Sequence, residues 1–114
     1  MIQALLRHER LRRRPEFLKV QQNGVRTRGR YLTLFILPNN LDVSRLGIVA
    51  TRRHGGAIRR NRVKRLVREI FRCNKCRPGL DIVVLPRPGC LDVSLLTLES
   101  DYRAVFRRYE QTSN

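Results

Sequence analysis

Acidic residues are scarce in this chain of 114 residues. There are 9 Asp and Glu against 25 Lys and Arg, which gives a formal net charge of +16 and a pI near 11.6. The few acids are scattered through loops and element ends, so no paired carboxylates stand ready for acid–base work or for holding a catalytic metal. Since so much like charge opposes folding, it implies an abundant anionic partner. The sequence therefore predicts a binding protein without catalytic residues of its own.

Long apolar runs are also missing, and cysteine is rare. No window is long enough to span a bilayer, and the apolar run at the N-terminus is too short for a secretory signal. Three cysteines are an odd number and do not suggest a disulfide framework. Cys73 and Cys76 are spaced like half of a zinc site or a redox pair, with Cys90, His54 and His8 as the remaining candidate ligands. No second matching spacing exists, so incidental thiols in a cytoplasmic protein are favoured.

The most informative segment runs from Arg59 to Arg72, where the spacing predicts a helix with two different faces. One arc is apolar and consists of Val63, Leu66, Val67, Ile70 and Phe71. The opposite arc consists of Arg60, Asn61, Lys64, Arg65, Arg68 and Arg72. Like charges four residues apart destabilise a helix by about 0.2–0.5 kcal/mol per pair. Such a stripe is predicted to bind a polyanion rather than to serve as a solvated face, and its arginines favour nucleic acid over a membrane surface.

The sequence predicts one compact α+β domain over residues 1–114. A basic lead-in at about residues 1–14 precedes a short helix from Pro15 to about Gln22. Strands are predicted at 30–37 and 45–51, pairing antiparallel with each other, and the basic helix follows them. A buried strand at 81–85 then leads to a last helix, which begins near Asp92 or Ser94 and ends near Tyr109. Its apolar stripe starts at Leu95, and the element order is α-β-β-α-β-α.

Three aromatic residues, Phe17, Tyr31 and Phe35, allow two interpretations. Each of them is suited to an ordinary core. Strand alternation, however, places Tyr31 and Phe35 on one side, and one face of a single sheet need not be covered. If that face lies beside the basic helix, the aromatics form a stacking floor for single-stranded nucleic acid, where stacking contributes about 1–3 kcal/mol per base.

Several motifs together closely resemble bacterial ribonuclease P protein subunits. They are Arg45-Leu46-Gly47-Ile48, Thr51-Arg52-Arg53, Gly56-Ala57, Arg60-Asn61-Arg62, Lys64-Arg65, Arg68-Glu69 and Phe71-Arg72. The string Arg-Asn-Arg-x-x-Lys-Arg-x-x-Arg is very specific to that family, and the resemblance covers nearly the whole chain. It implies a ribosomal-S5-domain-2-like α+β fold with room for an extra short strand. It also implies a left-handed crossover between the parallel strands that flank the basic helix, against the usual right-handed rule.

The resemblance further implies a subunit of an RNA-based endonuclease that removes the 5′ leader of precursor tRNA. In that family the RNA subunit performs the chemistry with Mg²⁺, so no metal site is expected in the protein. The implied partners are the catalytic RNA and precursor tRNA, with no membrane and no obligate protein partner. The alternative function is that of a stand-alone RNA-binding or ribosome-associated protein with the same fold.

Two sets of residues take on roles through the resemblance. The expected contacts to the RNA subunit are Arg52, Arg53, Arg60, Asn61, Arg62, Lys64, Arg65 and Arg68. The expected leader-binding cleft is lined by Phe17, Gln21, Tyr31 and Phe35. Gln21 stands where many members of the family carry a second aromatic residue, one helical turn after the first.

Overall fold

The computed structural model describes residues 7–75 and 77–112 of the chain. In that part, the helices and strands follow one another as α1 (Arg14–Asn23), β1 (Val25–Arg28), β2 (Leu32–Pro38), β3 (Arg45–Ile48), α2 (Ala57–Cys73), β4 (Leu80–Pro86) and α3 (Leu95–Thr112). Short 3-10 turns lie at Arg7–Glu9, Arg52–His54 and Cys90–Asp92. The predicted α+β class is confirmed, and β1 is the extra short strand. No described helix is long and apolar enough to cross a membrane.

The strands form one sheet in the order β1-β2-β4-β3. β2 pairs antiparallel with both β1 and β4, whereas β3 runs parallel to β4. The predicted antiparallel pairing of the strand at Arg45 with the strand before it was wrong, because β4 lies between the two. β4 takes the central place since it is buried on both faces, which leaves the shorter β3 at the edge. α2 connects the parallel pair, and the left-handed sense of this crossover stays a prediction.

The larger core lies on one side of the sheet, which we call the α2/α3 face. Leu34 of β2 and Ile82 of β4 point to it and are fully buried. The two helices contribute Val63, Val67, Ile70, Phe71, Leu98, Tyr102, Val105, Phe106 and Tyr109. Helical spacing predicted these apolar arcs, with two exceptions at their margins. Leu66 is only half-buried, and Leu95 is 41% exposed because it begins α3, one turn before the first residue which that helix buries.

A smaller core lies on the opposite side of the sheet, which we call the α1 face. Leu11, Val20 and Val83 are buried there, and the half-buried rings of Phe17 and Phe35 pack against them. The edge strand β1 remains largely exposed. The α1 face is therefore only partly covered, so an aromatic side chain there can pack on the core and still present a ring edge or face to solvent.

The turn between β1 and β2 is held in place by the last helix. Asp101 of α3 accepts hydrogen bonds from the backbone N–H groups of Arg30 and Tyr31 at 2.9 Å and of Leu32 at 3.0 Å. Hydrogen bonds to an ionised carboxylate are stronger than those between neutral groups. One side chain thus satisfies three backbone donors of the turn and ties the β1–β2 hairpin to α3.

Candidate nucleic-acid interface

The outward side of α2 carries a continuous row of polar and basic side chains, which we call the α2 stripe. It consists of Arg60, Asn61, Arg62, Lys64, Arg65 and Arg68, of which Asn61, Arg62 and Arg65 are exposed and the others half-buried. Among the described residues, no ion pair neutralises any cation of the stripe. Arg72, which the sequence also placed on this arc, differs because it binds Glu69 at 2.7 Å. Arg52 and Arg53 are exposed on the 3-10 turn before α2 and extend the basic surface.

His54 anchors the segment that leads into this stripe. Its Nδ1 accepts a hydrogen bond from the backbone N–H of Thr51 at 3.1 Å, which assigns the proton to Nε2. Nε2 then donates to the carbonyl of Pro86, at the end of β4, at 2.7 Å. Arg59 donates from Nε to the carbonyl of His54 at 3.1 Å. His54 is buried, and hydrogen bonds engage both of its ring nitrogens. Its role in the structure is therefore to hold the start of α2 against the sheet.

Phe17 and Phe35, two of the residues predicted for the leader-binding cleft, come together on the α1 face. Both rings pack on the smaller core, and both side chains remain half-buried. Gly47 of β3 allows the close approach of Phe17, because a Cβ at position 47 would lie 2.6 Å from Cε2 and 2.8 Å from Cζ of that ring. Gln21 is half-buried one turn further along α1. We call the partly covered surface around Phe17 and Phe35, between α1 and the sheet, the cleft on the α1 face.

Tyr31 is placed differently from the other predicted cleft residues. It precedes β2, which begins at Leu32, and its ring packs against the core on the α2/α3 face. The strand alternation that grouped Tyr31 with Phe35 therefore does not extend to it. The physical reason is the turn before β2, where Asp101 binds the backbone N–H of Tyr31 and fixes a non-strand conformation.

Two basic residues of β1 join the cleft, and the sequence did not predict them. In the sheet register Arg26 lies opposite Phe35 and Arg28 lies opposite Thr33. Directly opposed residues of neighbouring strands point to the same face, so both arginines project on the α1 face, where they are exposed. Since β1 has no apolar alternation, the only signal in the sequence was the basic residue at every second position.

A charged network fixes α1 over the sheet. Arg45 of β3 binds the buried carboxylate of Asp81 through Nε at 2.8 Å and through a terminal nitrogen at 2.7 Å, and it binds Glu16 of α1 at 3.2 Å. The bond to Asp81 raises the pKa of Arg45. Glu16 in turn accepts the backbone N–H groups of Arg13 and Arg12, and these two bonds hold the pKa of its carboxyl below the ordinary value. The network therefore sets where the first turn of α1 meets the sheet.

The cysteines do not come together in the described part of the chain. Cys73 is exposed at the end of α2, and Cys76 lies outside the described residues. Cys90 is buried, and burial raises the pKa of its thiol. Among the residues that the structure covers, no group of three or more His, Cys, Asp or Glu could hold a metal ion.

Known proteins resemble nearly the whole chain, including the parts that form the α2 stripe and the cleft on the α1 face. A model of the family described as Ribonuclease P matches residues 5–110. The chain belongs to the ribonuclease P protein family. A ribonuclease P protein component of Thermotoga sp. (strain RQ2) is 48% identical over 89 residues, which cover 76% of each chain. The component of Syntrophobacter fumaroxidans is 39% identical over 102 residues, covering 87% of this chain and 86% of that one.

Solved structures of ribonuclease P proteins share the fold. The protein from Thermotoga maritima is 40% identical, with a TM-score of 0.79 over 88% of this chain and 96% of its own. The protein from Staphylococcus aureus is 26% identical, with a TM-score of 0.80 over 89% and 94% of the two chains. As a ribonuclease P protein, this chain is part of an endoribonuclease that acts in tRNA 5′ processing. Family membership thus favours the ribonuclease P subunit over the alternative of a stand-alone or ribosome-associated protein.

Proposed function

We propose that this ribonuclease P protein binds the catalytic RNA subunit through the α2 stripe together with Arg52 and Arg53. The observation that supports the proposal most is the row of cations that have no acidic partner in the described chain. Uncompensated charge on one helix destabilises the free protein, and RNA phosphates relieve that repulsion on binding. Arginine side chains add bidentate contacts, which a lysine row would not provide.

The cleft on the α1 face takes the single-stranded 5′ leader of precursor tRNA. Phe17 and Phe35 offer ring surface for stacking, while Arg26 and Arg28 place positive charge beside them for the leader phosphates. Gln21 stands where a second ring would lie, and its amide is suited to hydrogen-bond a base edge. Tyr31 is left out of this cleft because it packs on the other face.

The catalytic step belongs to the RNA subunit, and Mg²⁺ is held mainly by that RNA. Six acids have structural partners: Glu9, Glu16, Glu69, Asp81, Glu99 and Asp101 each hold an ion pair or a backbone hydrogen bond. They are dispersed over the molecule, so they do not fit a two-metal site. We place this work in the cytoplasm, because the odd cysteine count does not suggest a disulfide framework.

Reconstitution tests this function directly. Purified protein is added to a matched catalytic RNA at low Mg²⁺, and removal of the leader from precursor tRNA is followed on a gel. We expect the mixture to cleave at the 5′ end of the mature tRNA, the RNA alone to cleave poorly, and the protein alone not to cleave at all. Accurate cleavage by RNA-free protein, or no effect of the protein on the RNA, contradicts the proposal.

Arg65→Ala is expected to weaken binding to the catalytic RNA without affecting the fold. Arg65 is exposed on the α2 stripe and lies off the apolar arc, so its loss removes no core contact. Each lost phosphate contact should reduce the slope of log K against log salt by about 0.7–0.9. The measurement is a set of binding titrations at several salt concentrations, with Arg107→Ala on α3 as the matched control. Equal slopes for both variants and the wild type would leave the stripe as a merely solvated face.

Gly47→Ala is expected to weaken binding of the leader selectively. A methyl group at this position pushes the ring of Phe17 from its place, because the new Cβ would approach that ring to 2.6 Å. Gly56→Ala is the matched control, since a Cβ at Gly56 meets nothing within 4 Å. We expect the reconstituted Gly47→Ala enzyme to lose about 1 kcal/mol in precursor tRNA binding, the low end of one stacking contact, and little in mature tRNA binding. If the two variants discriminate between precursor and mature tRNA equally well, Phe17 does not line the leader path.

A further inference from the structure

A cationic pocket of about 160 Å³ lies where the α2 stripe meets the leader cleft. It is lined by Arg10 and Arg12 of the N-terminal segment, Lys64 and Arg68 of α2, and by Phe17 and Gly47 from the cleft side. The pocket therefore opens at the β3 edge of the sheet, between the two surfaces to which the proposed function assigns RNA. We call it the junction pocket.

The charges in the junction pocket have no acidic partner within the described chain. No carboxylate lines the pocket among those residues, and none of its four cations takes part in an ion pair there. The Nε of Arg10 is buried, and no described acceptor bonds to it. Burial lowers the pKa of Arg68, and the charge of Arg10 lowers it further. Partly buried like charges without a partner raise the free energy of the free protein, and an anion between them removes that penalty.

Arg10 is held at the pocket by its own backbone. It forms a parallel bridge with Leu46 of β3, and the neighbouring Leu11 donates its N–H to the carbonyl of Leu46 at 2.9 Å. The side chain of Leu11 is buried in the smaller core, and Glu9 is paired with Lys75. Contacts on both sides of Arg10 thus hold its backbone against the sheet edge, beside Lys64 and Arg68, before any ligand binds.

We propose that the junction pocket is a phosphodiester site, in which Arg10, Lys64 and Arg68 bind one phosphate of an RNA backbone. Two guanidinium groups and an ammonium group around one small pocket suit the several acceptor oxygens of a phosphate. The identity of the ligand as RNA rests on the proposed function, whereas the anion site itself rests on the pocket alone. A phosphate bound here links the N-terminal segment, α2 and the ring of Phe17, so it joins the two RNA-binding surfaces.

Inorganic phosphate is the probe for the site, and it is titrated at constant ionic strength against chloride. The proteins are the wild type, Arg10→Gln, Arg68→Gln and the control Arg107→Gln, which removes one charge from the exposed side of α3. We expect phosphate to raise the Tm of the wild type and of the control equally. Loss of one charged hydrogen-bonding group should weaken phosphate binding by about tenfold or more in the two pocket variants.

The direction in which Arg68→Gln changes the Tm without phosphate distinguishes a binding site from a structural contact. Because Arg68 and Arg10 repel each other, Arg68→Gln should melt at a higher temperature than the wild type in phosphate-free buffer and gain less when phosphate is added. Arg10→Gln, checked by circular dichroism, is the independent second variant. Equal phosphate affinity in all four proteins overturns the proposal, as does an Arg68→Gln variant that melts lower without phosphate and binds phosphate like the wild type.

Two binding measurements identify the RNA that supplies the phosphate. If it comes from the RNA subunit, Arg10→Gln weakens binding of the protein to the catalytic RNA and reduces its salt slope by about 0.7–0.9. If it comes from the leader, the variant weakens binding of precursor tRNA to the reconstituted enzyme but not binding of mature tRNA. Phosphate binding with neither RNA affinity changed marks an adventitious ion only and overturns the proposal. If the pocket variants bind phosphate like the wild type and still support leader removal, the site is rejected but the proposed function is not. If the wild-type protein fails to reconstitute the enzyme, the proposed function is rejected but the anion site is not.

Discussion

Replacing Asp81 with alanine should lower the free energy of unfolding by about 3 kcal/mol. Asp81 is only 5% exposed and accepts two hydrogen bonds from Arg45 and one from Asn39 at 2.7 Å. Removing one partner of a buried pair leaves the other charge uncompensated, which typically costs about 3–5 kcal/mol. The low end of this range applies because the side chain of Arg45 is 24% exposed and keeps its ion pair with Glu16. A chain of this size should then melt about 10 °C lower or more.

Glu69→Ala is the matched control for this prediction. Glu69 also binds an arginine at 2.7 Å, but its side chain is 24% exposed against 7% for Asp81. Exposed ion pairs contribute little to stability, so this variant should unfold close to the wild type in urea. If both substitutions lower the stability by the same small amount, burial does not govern the strength of the network at Arg45. The position of α1 would then depend on apolar packing alone.

Replacing Phe35 with alanine should weaken binding of precursor tRNA to the reconstituted enzyme by about 1–3 kcal/mol, the contribution of a base stacked on an aromatic ring. Binding of mature tRNA, which lacks the leader, should change little. The measurement is the ratio of the two affinities, taken with wild-type and variant protein on the same catalytic RNA. Phe35 is half-buried, so some loss of stability will accompany the change.

Tyr31→Ala distinguishes the cleft from the core. Tyr31 packs on the α2/α3 face, so its truncation should lower the Tm while the ratio of precursor to mature tRNA affinity stays at the wild-type value. A selective loss of precursor binding in Tyr31→Ala would return this residue to the cleft. A Phe35→Ala variant that loses stability, by the roughly 3–5 kcal/mol typical of a buried ring, without any selective loss would assign Phe35 to the core.

The helices could be predicted from the sequence because the spacing of residues that defines a helix is a local pattern. In α2 the residues three and four positions apart determine both the buried arc and the α2 stripe, and the structure places both as expected. The pairing of β3 could not be read in this way. Its partner β4 lies more than thirty residues further along the chain, beyond α2. Adjacent strands in sequence usually pair, and here the more apolar β4 displaced β3 from β2.

The sequence named two aromatic residues of the α1 face but not the arginines beside them. Strand alternation pointed to Phe35, and the resemblance matched Phe17 and Phe35 to the aromatic positions of the family's cleft. Arg26 and Arg28 were missed since β1 has no apolar alternation and is a strand only through its pairing with β2. The junction pocket lies still further from local sequence patterns, because Arg10 reaches Lys64 and Arg68 only through the bridge to Leu46.

The hydrogen bonds between Asp101 and the β1–β2 turn can form only late in the synthesis of the chain. The carboxylate and the backbone donors that it binds are separated by 69 to 71 residues. Synthesis runs from the N-terminus, so the hairpin that carries Arg26 and Arg28 leaves the ribosome long before the side chain that secures it. Contacts between such distant residues form late in folding. A growing chain therefore exposes α1 and β1 before the β1–β2 turn is secured. If the cleft binds the leader as proposed, we expect it to be complete only once α3 has been translated.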